Sequence, residues 1–95
     1  MRDYELTVIL SPELPEEEVP SGVERVAELV VQKGGVVSEV DHWGRRRLAY
    51  PIGRFMEGNY VLTHIQMEPQ SIAELEAGLE LSDSVLRYLV VRKQA

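Results

Sequence analysis

The sequence predicts an α+β domain of ferredoxin-like βαββαβ order, a four-stranded antiparallel sheet with two helices on one face. Three observations predict it. Four segments alternate apolar and polar residues and two repeat at helical spacing, in the order strand–helix–strand–strand–helix–strand. Two split strand-helix-strand units with right-handed crossovers send both helices to the same face and make strands one and three the central pair. Finally, 95 residues suffice for one modest core, and no long linker, repeat or low-complexity tract breaks the chain. A single domain over residues 1–95 is expected.

Residues 3–10, "DYELTVIL", place Tyr4, Leu6, Val8 and Leu10 on one face of the first strand. "SPELPEEE" then supplies turn residues and the acids that a helix dipole favours at its N-terminus. Val19, Val23, Val26 and Val30 follow as one helical stripe. Pro20 and Gly22 interrupt that stripe, so the helix either starts late or kinks at Pro20. Gly34 and Gly35 end it.

A valine-rich second strand starts near Val36, carries a bulge at Gly44 and resumes through Leu48, Tyr50 and Ile52. "GRFMEGN", residues 53–59, reads as the next loop because glycines flank it. The third strand then spans 60–67, with Val61, Ile65 and Met67 on one face and Tyr60, Leu62 and His64 on the other. Pro69 stops it. Ser71 and Glu74 have the form of a capping box, and Ile72, Leu75 and Leu79 line a second helix weakened by Gly78. "SDS" closes that helix, and residues 85–92 form the fourth strand. On the sheet face without helices, Glu5, Thr7, Ile9, Tyr60, Leu62, His64, Val85, Leu89 and Val91 are expected. Several are large and apolar, which suits a docking face for a protein or RNA partner.

The chain is acidic, with formal net charge −6, yet its charge is segregated. Residues 1–41 and 68–86 are dominated by acids, whereas 42–67 hold Arg45, Arg46, Arg47 and Arg54 against Glu57 alone. Arg87, Arg92 and Lys93 close the chain without an acid. Three consecutive arginines repel one another unless a carboxylate network or an external anion faces them. Guanidinium forks match phosphate oxygens and stack on bases. Strand alternation puts Arg45 and Arg47 on one side and Arg46 on the other, unless the bulge resets the phase. Arg54, Arg2, Arg87, Arg92 and Lys93 extend the candidate patch. The alternative is that these arginines pair with Glu39, Asp41, Glu57 and the helix acids.

Catalysis finds little footing. Thr63 and His64 are neighbours on a strand, so their side chains point to opposite faces, as do those of Asp41 and His42. Two histidines, no cysteine and scattered carboxylates make no metal set, and the absence of cysteine also rules out a disulfide framework. "KGGVV" follows a helix instead of opening one, so it is no phosphate loop. No cofactor and no small-molecule substrate are expected. The N-terminus alternates instead of forming a signal-peptide core, and no apolar run nears the roughly 20 residues that span a bilayer. A cytoplasmic location without membrane contact is expected.

"GRRRLAYPI", residues 44–52, resembles the signature of the bacterial small-subunit ribosomal protein six family. That pattern runs glycine, any residue, a basic residue, a polar or charged residue, leucine, a small residue, tyrosine, any residue and a β-branched residue. Gly44, Arg46, Arg47, Leu48, Ala49, Tyr50 and Ile52 meet it, with Arg45 and Pro51 at the free places. "MRDYEL", "EGNYVL" and "LRYLVVR" resemble the family's first, third and last strands, so the likeness spans nearly the whole chain.

The resemblance implies a ferredoxin-like fold, no enzymatic activity and a place in the platform of the small ribosomal subunit. It further implies small-subunit ribosomal RNA and ribosomal protein eighteen as partners. Carried onto this chain, Arg45, Arg46 and Arg47 are the first candidates for phosphate or partner-carboxylate contacts. Arg54 joins them, with Arg2, Arg87, Arg92 and Lys93 as further RNA candidates. Tyr60, Leu62 and His64 are the candidates for the protein partner, while Leu48 and Tyr50 anchor the motif strand to the core.

Two rivals come from other classes. A small phosphatase of this fold needs an arginine-bearing phosphate loop after strand one, where "SPELPEEE" is acidic. A ligand-binding regulatory domain acting as a homodimer needs a small-molecule pocket and a stable dimer. Tyr60 stands nearly alone among aromatics on the open face, which argues against reading single strands by stacking there.

Overall fold

Tyr4, Leu6, Val8 and Leu10 are all buried, as the alternation predicts, and they seat the sheet against the helices. The computed structural model describes residues 1–93. In chain order its elements are β1 (Arg2–Leu10), α1 (Val19–Gln32), β2 (Val36–Ile52), β3 (Phe55–Met67), α2 (Ile72–Glu80) and β4 (Val85–Arg92). A single 3-10 turn precedes each helix, over Glu16–Glu18 and Pro69–Ser71. The strands lie in the order β2-β3-β1-β4 with every neighbouring pair antiparallel, the ferredoxin-like arrangement. Val61, Ile65 and Met67 of β3 join the core, which closes under Val23, Val26 and Val30 of α1 and Leu75 and Leu79 of α2.

The start of α1 resolves the awkward Pro20–Gly22 pair. Pro20 occupies the first turn of the helix, where a missing N–H costs nothing because no intrahelical acceptor exists. A β-carbon at Gly22 would sit 3.3 Å from both Leu10 Cδ1 and Leu14 Cδ2, so a small residue lets the helix approach the sheet. At the other end the Gly34 and Gly35 amides donate to the Val31 and Val30 carbonyls at 3.0 and 2.9 Å, closing the last turn.

Three local expectations need correction. First, residues 53–59 are not a loop. Gly53 and Arg54 alone make the turn, with Gly53 at φ 59°, and β3 begins at Phe55. The second glycine has another purpose: a β-carbon at Gly58 would lie 2.3 Å from Ile9 Cγ2, so it is a close approach between strands. Second, Ser71 caps nothing with its side chain. Its backbone is already helical (φ −89°, ψ −10°), continuing the 3-10 turn, and this is not the extended conformation a side-chain cap needs. Third, Val85 faces the core instead of the open face. The β1–β4 register slips between Ile9, opposite Arg87, and Leu10, opposite Val85, so the phase reverses at the end of the ladder.

Gly78 reads differently in space as well. A β-carbon there would meet the Leu29 methyls at 2.8 and 2.9 Å, so this glycine brings α2 close to α1. The two glycines should respond differently to alanine. Gly58→Ala is expected to cost about 1–3 kcal/mol, because Ile9 is β-branched and cannot swing its Cγ2 away. Gly78→Ala should cost less, since Leu29 can change rotamer and alanine is favoured over glycine in a helix by about 1 kcal/mol. Urea unfolding of the two variants beside the unmodified chain would read both.

Candidate nucleic-acid and partner interface

Antiparallel register decides which side chains share the uncovered face of the sheet. Glu39, His64, Glu5 and Val91 form one row across β2, β3, β1 and β4. Asp41, Leu62, Thr7 and Leu89 form the next, and Gly44, Tyr60, Ile9 and Arg87 a third. Tyr60, Leu62 and His64 therefore do stand together, half-buried along the centre of this face. Leu89 and Val91 lie one strand further across, beyond Thr7 and Glu5 of β1, and are exposed, Leu89 to 60%. The face is polarised. Its first two rows carry Glu39, Glu5 and Asp41, with His64 Nε2 3.8 Å from Glu39 Oε2, whereas Arg87 stands in the third.

The bulge expected at Gly44 is present and exposes the arginines. Pairing skips from His42 opposite Val61 to Gly44 opposite Tyr60, leaving Trp43 without a cross-strand partner, and Gly44 takes φ 80°. Arg45, Arg46 and Arg47 then oppose Asn59, Gly58 and Glu57 in unbroken register. Arg45 and Arg47 thus share one side of the ribbon and Arg46 takes the other. Beyond Leu10, which faces Asn59, β1 has ended and the β2–β3 hairpin continues as a two-stranded ribbon.

That ribbon curls back over the end of the sheet. Arg45 Nη2 donates to the Pro12 carbonyl at 2.6 Å, and Arg54 pairs with Glu13 in the same loop. Leu48 is only 8% exposed, and its Cδ2 reaches the space above Gly58 beside Ile9 Cγ2. Leu48 therefore anchors the motif on the open side of the sheet, outside the main helix-covered core. Tyr50 does not anchor at all. It is 63% exposed, and the Arg87 guanidinium lies 5.8 Å from its ring centroid. The reason is the ribbon itself, which has left the sheet and offers Tyr50 no second layer to enter.

The carboxylate-pairing alternative fails for the arginine triplet. Among the described residues, none of Arg45, Arg46 and Arg47 makes an ion pair, although Glu57 faces Arg47 in register. Arg54 does find a carboxylate in Glu13, and its guanidinium lies 5.0 Å from the Phe55 ring centroid. The eight basic candidates also divide between two places. Arg45, Arg46, Arg47, Arg54 and Arg87 gather at the hairpin end. Arg2, Arg92 and Lys93 gather at the opposite end, where Arg92 faces Tyr4 and the Lys93 amide donates to the Asp3 carbonyl at 2.9 Å. Arg87 opposite Ile9 and Arg92 opposite Tyr4 are five residues apart on β4, so even the nearest members of the two groups are separated by roughly 16 Å of strand. At physiological salt that exceeds the Debye length of about 8 Å, so the groups are electrostatically independent.

One residue of interest escaped the sequence reading. Trp43 is 46% exposed, and Arg46 covers it, with its guanidinium 5.4 Å from the ring centroid and its Nε donating to the Trp43 carbonyl at 3.3 Å. The available signal was its position directly before the glycine expected to bulge. Thr63 is buried in the core while His64 faces the other way, and among the described residues no group of three or more His, Cys, Asp or Glu could hold a metal ion. No helix among them is long and apolar enough to cross a membrane.

Comparison with known proteins agrees on one family. The family model described as ribosomal protein S6 matches residues 3–92. The small ribosomal subunit protein bS6 of Caldanaerobacter subterraneus subsp. tengcongensis is 46% identical over 92 residues, 97% of each chain. That of Clostridium novyi is 42% identical over 94 residues, 99% of each chain. Among solved structures, the crystal structure of 30S ribosomal protein S6 from Thermotoga maritima superimposes with a TM-score of 0.89 at 32% identity, covering 97% of this chain and 87% of that one.

Burial separates Leu48 from Tyr50 in the arginine segment, and stability measurements should do the same. Leu48→Ala is expected to cost about 2–4 kcal/mol, through lost burial and the cavity left over Gly58. Tyr50→Ala should cost under about 1 kcal/mol, the scale of an exposed cation–aromatic pair. Chemical denaturation of both variants is the check.

Proposed function

The chain belongs to the ribosomal protein S6 family and is a structural, non-enzymatic protein of the small subunit of the cytoplasmic ribosome; we propose that it acts there by clamping folded ribosomal RNA jointly with a basic protein partner. The observation that carries this reading is the triplet Arg45–Arg46–Arg47, which makes no ion pair among the described residues, in an acidic chain. Like charges held together without an internal counter-ion lower stability, and an anionic partner relieves that repulsion. Contact would be mainly to phosphate oxygens, which position the protein on folded RNA without reading sequence.

In this reading Arg54 and Arg87 flank the primary contact at the hairpin end. Arg2, Arg92 and Lys93 make a second contact at the far end of the sheet. The protein partner is ribosomal protein eighteen, docking over Tyr60, Leu62 and His64, with the exposed Leu89 and Val91 widening the apolar surface. A basic partner suits the Glu5, Glu39 and Asp41 carboxylates beside that patch. An acidic chain and a basic partner would together present RNA with a far less negative surface than this chain alone.

The test is binding of the purified chain to a central-domain fragment of small-subunit ribosomal RNA, with and without ribosomal protein eighteen, across a salt series. Partner-dependent binding is expected. An Arg45/Arg46/Arg47→Ala triple variant should bind more weakly and lose roughly two to three from the slope of log K against log salt, if each arginine meets one phosphate. Absence of binding by a folded chain even with the partner would overturn the reading.

A further inference from the structure

We propose that Trp43, clamped by Arg46 at the β2 bulge, is a stacking site for a single unstacked RNA base; this rests on the RNA reading above. The bulge leaves Trp43 outside the strand pairing, between His42 opposite Val61 and Gly44 opposite Tyr60. Nearly half of it remains exposed although Arg46 lies over the ring. Arg46 also donates to the Trp43 carbonyl, so the guanidinium and the indole form one pre-organised unit. Such a unit offers a base two kinds of flat surface, an aromatic ring and a planar cation.

The neighbours favour a nucleotide over an apolar protein side chain. The strand carries Arg46 on the Trp43 side and Arg45 and Arg47 on the other, and none of the three makes an ion pair among the described residues, so the phosphates of a strand wrapping this edge would meet cations. β2 is an edge strand, which lets an RNA strand approach without displacing another part of the sheet. Stacking is tolerant of base identity because every base has a π-face. The site would therefore hold one extruded base in register while the arginines hold the backbone, and would read no sequence. This differs from a stacking platform at the sheet centre, where Tyr60 has no aromatic companion.

Trp43 is the sole tryptophan of the chain, so its intrinsic fluorescence reports directly on the site. The experiment titrates the full chain with a short single-stranded oligoadenylate and with an abasic oligoribose-phosphate of equal length. Dye-labelled versions follow affinity by anisotropy. Saturable quenching by the oligoadenylate and none by the abasic strand is expected. Trp43→Leu should weaken oligoadenylate binding roughly 5- to 100-fold, the range of one base–aromatic stack, and Trp43→Phe should retain most of the affinity. Far-UV circular dichroism verifies that both variants are folded.

Equal affinity for the two strands, with unmoved fluorescence and an indifferent Trp43→Leu variant, would overturn the stacking site while leaving backbone recognition standing. Failure of the oligoadenylate to bind would overturn it as well. The folded ribosomal RNA fragment with ribosomal protein eighteen, in the same buffer, then separates the two failures. Binding of that fragment retains the RNA reading, and its absence removes both.

Discussion

The central β1–β3 pairing sets the rest of this structure. Nine consecutive residues of β1 pair with β3 without a slip, from Arg2 opposite Met67 to Leu10 opposite Asn59. Because side chains alternate with a period of two, that register commits Tyr4, Leu6, Val8 and Leu10, with Val61, Thr63, Ile65 and Met67, to one face. The helices must cover that face, since it is where the burial free energy lies. The opposite face is left uncovered by the same rule. A slip of one residue would exchange the two faces and expose the core set to water, so the pairing that makes the domain stable also creates its docking surface.

Most departures from regularity lie where the central pairing ends; a further register shift in β2, between Val37 and Glu39, lies toward the other end. The slip between Ile9 and Leu10, the bulge at Trp43–Gly44 and the free ribbon beyond Asn59 all lie at one end of the sheet. There β1 stops and β2 and β3 continue alone, held by Leu48 above Gly58 and by arginine contacts to the Pro12–Glu13 loop. A long two-stranded ribbon has little hydrophobic support of its own, so a few well-buried contacts fix its curl. Its charges are correspondingly free to face outward. The arginine segment is thus built on an element whose shape depends on very few side chains.

Electrostatics divides the molecule along the same axis. Acids crowd the chain as a whole and the first rows of the open face; Arg45, Arg46 and Arg47, without ion pairs among the described residues, stand at the hairpin end, and Arg2, Arg92 and Lys93 form a smaller cationic group at the other. Net charge alone would argue against an anionic partner. Screening makes the local arrangement decisive, because charges more than a Debye length apart scarcely feel one another. A surface with an acidic, apolar region beside a basic ribbon suits simultaneous contact with a basic protein and an anionic polymer.

Much of this was legible from residue order. Period-two and period-3.6 patterns separate strands from helices wherever the pattern runs uninterrupted, and the strand–helix order then constrains connection and handedness, hence the ferredoxin-like sheet. The segment 44–52 likewise announced a basic cluster and a bulge. What sequence could not distinguish was the purpose of glycines that look alike: Gly53 turns the chain, Gly58 admits Ile9, and Gly78 admits Leu29. The difference lies in neighbours far away in the chain, which no local pattern records. The same holds for Leu48 and Tyr50, two motif residues with equal claims to burial, of which the ribbon's curl shelters one and exposes the other. It holds too for the arginines, because an ion pair requires a carboxylate within reach in space, and only the folded chain decides that, among the described residues, Arg54 has one and Arg45, Arg46 and Arg47 do not.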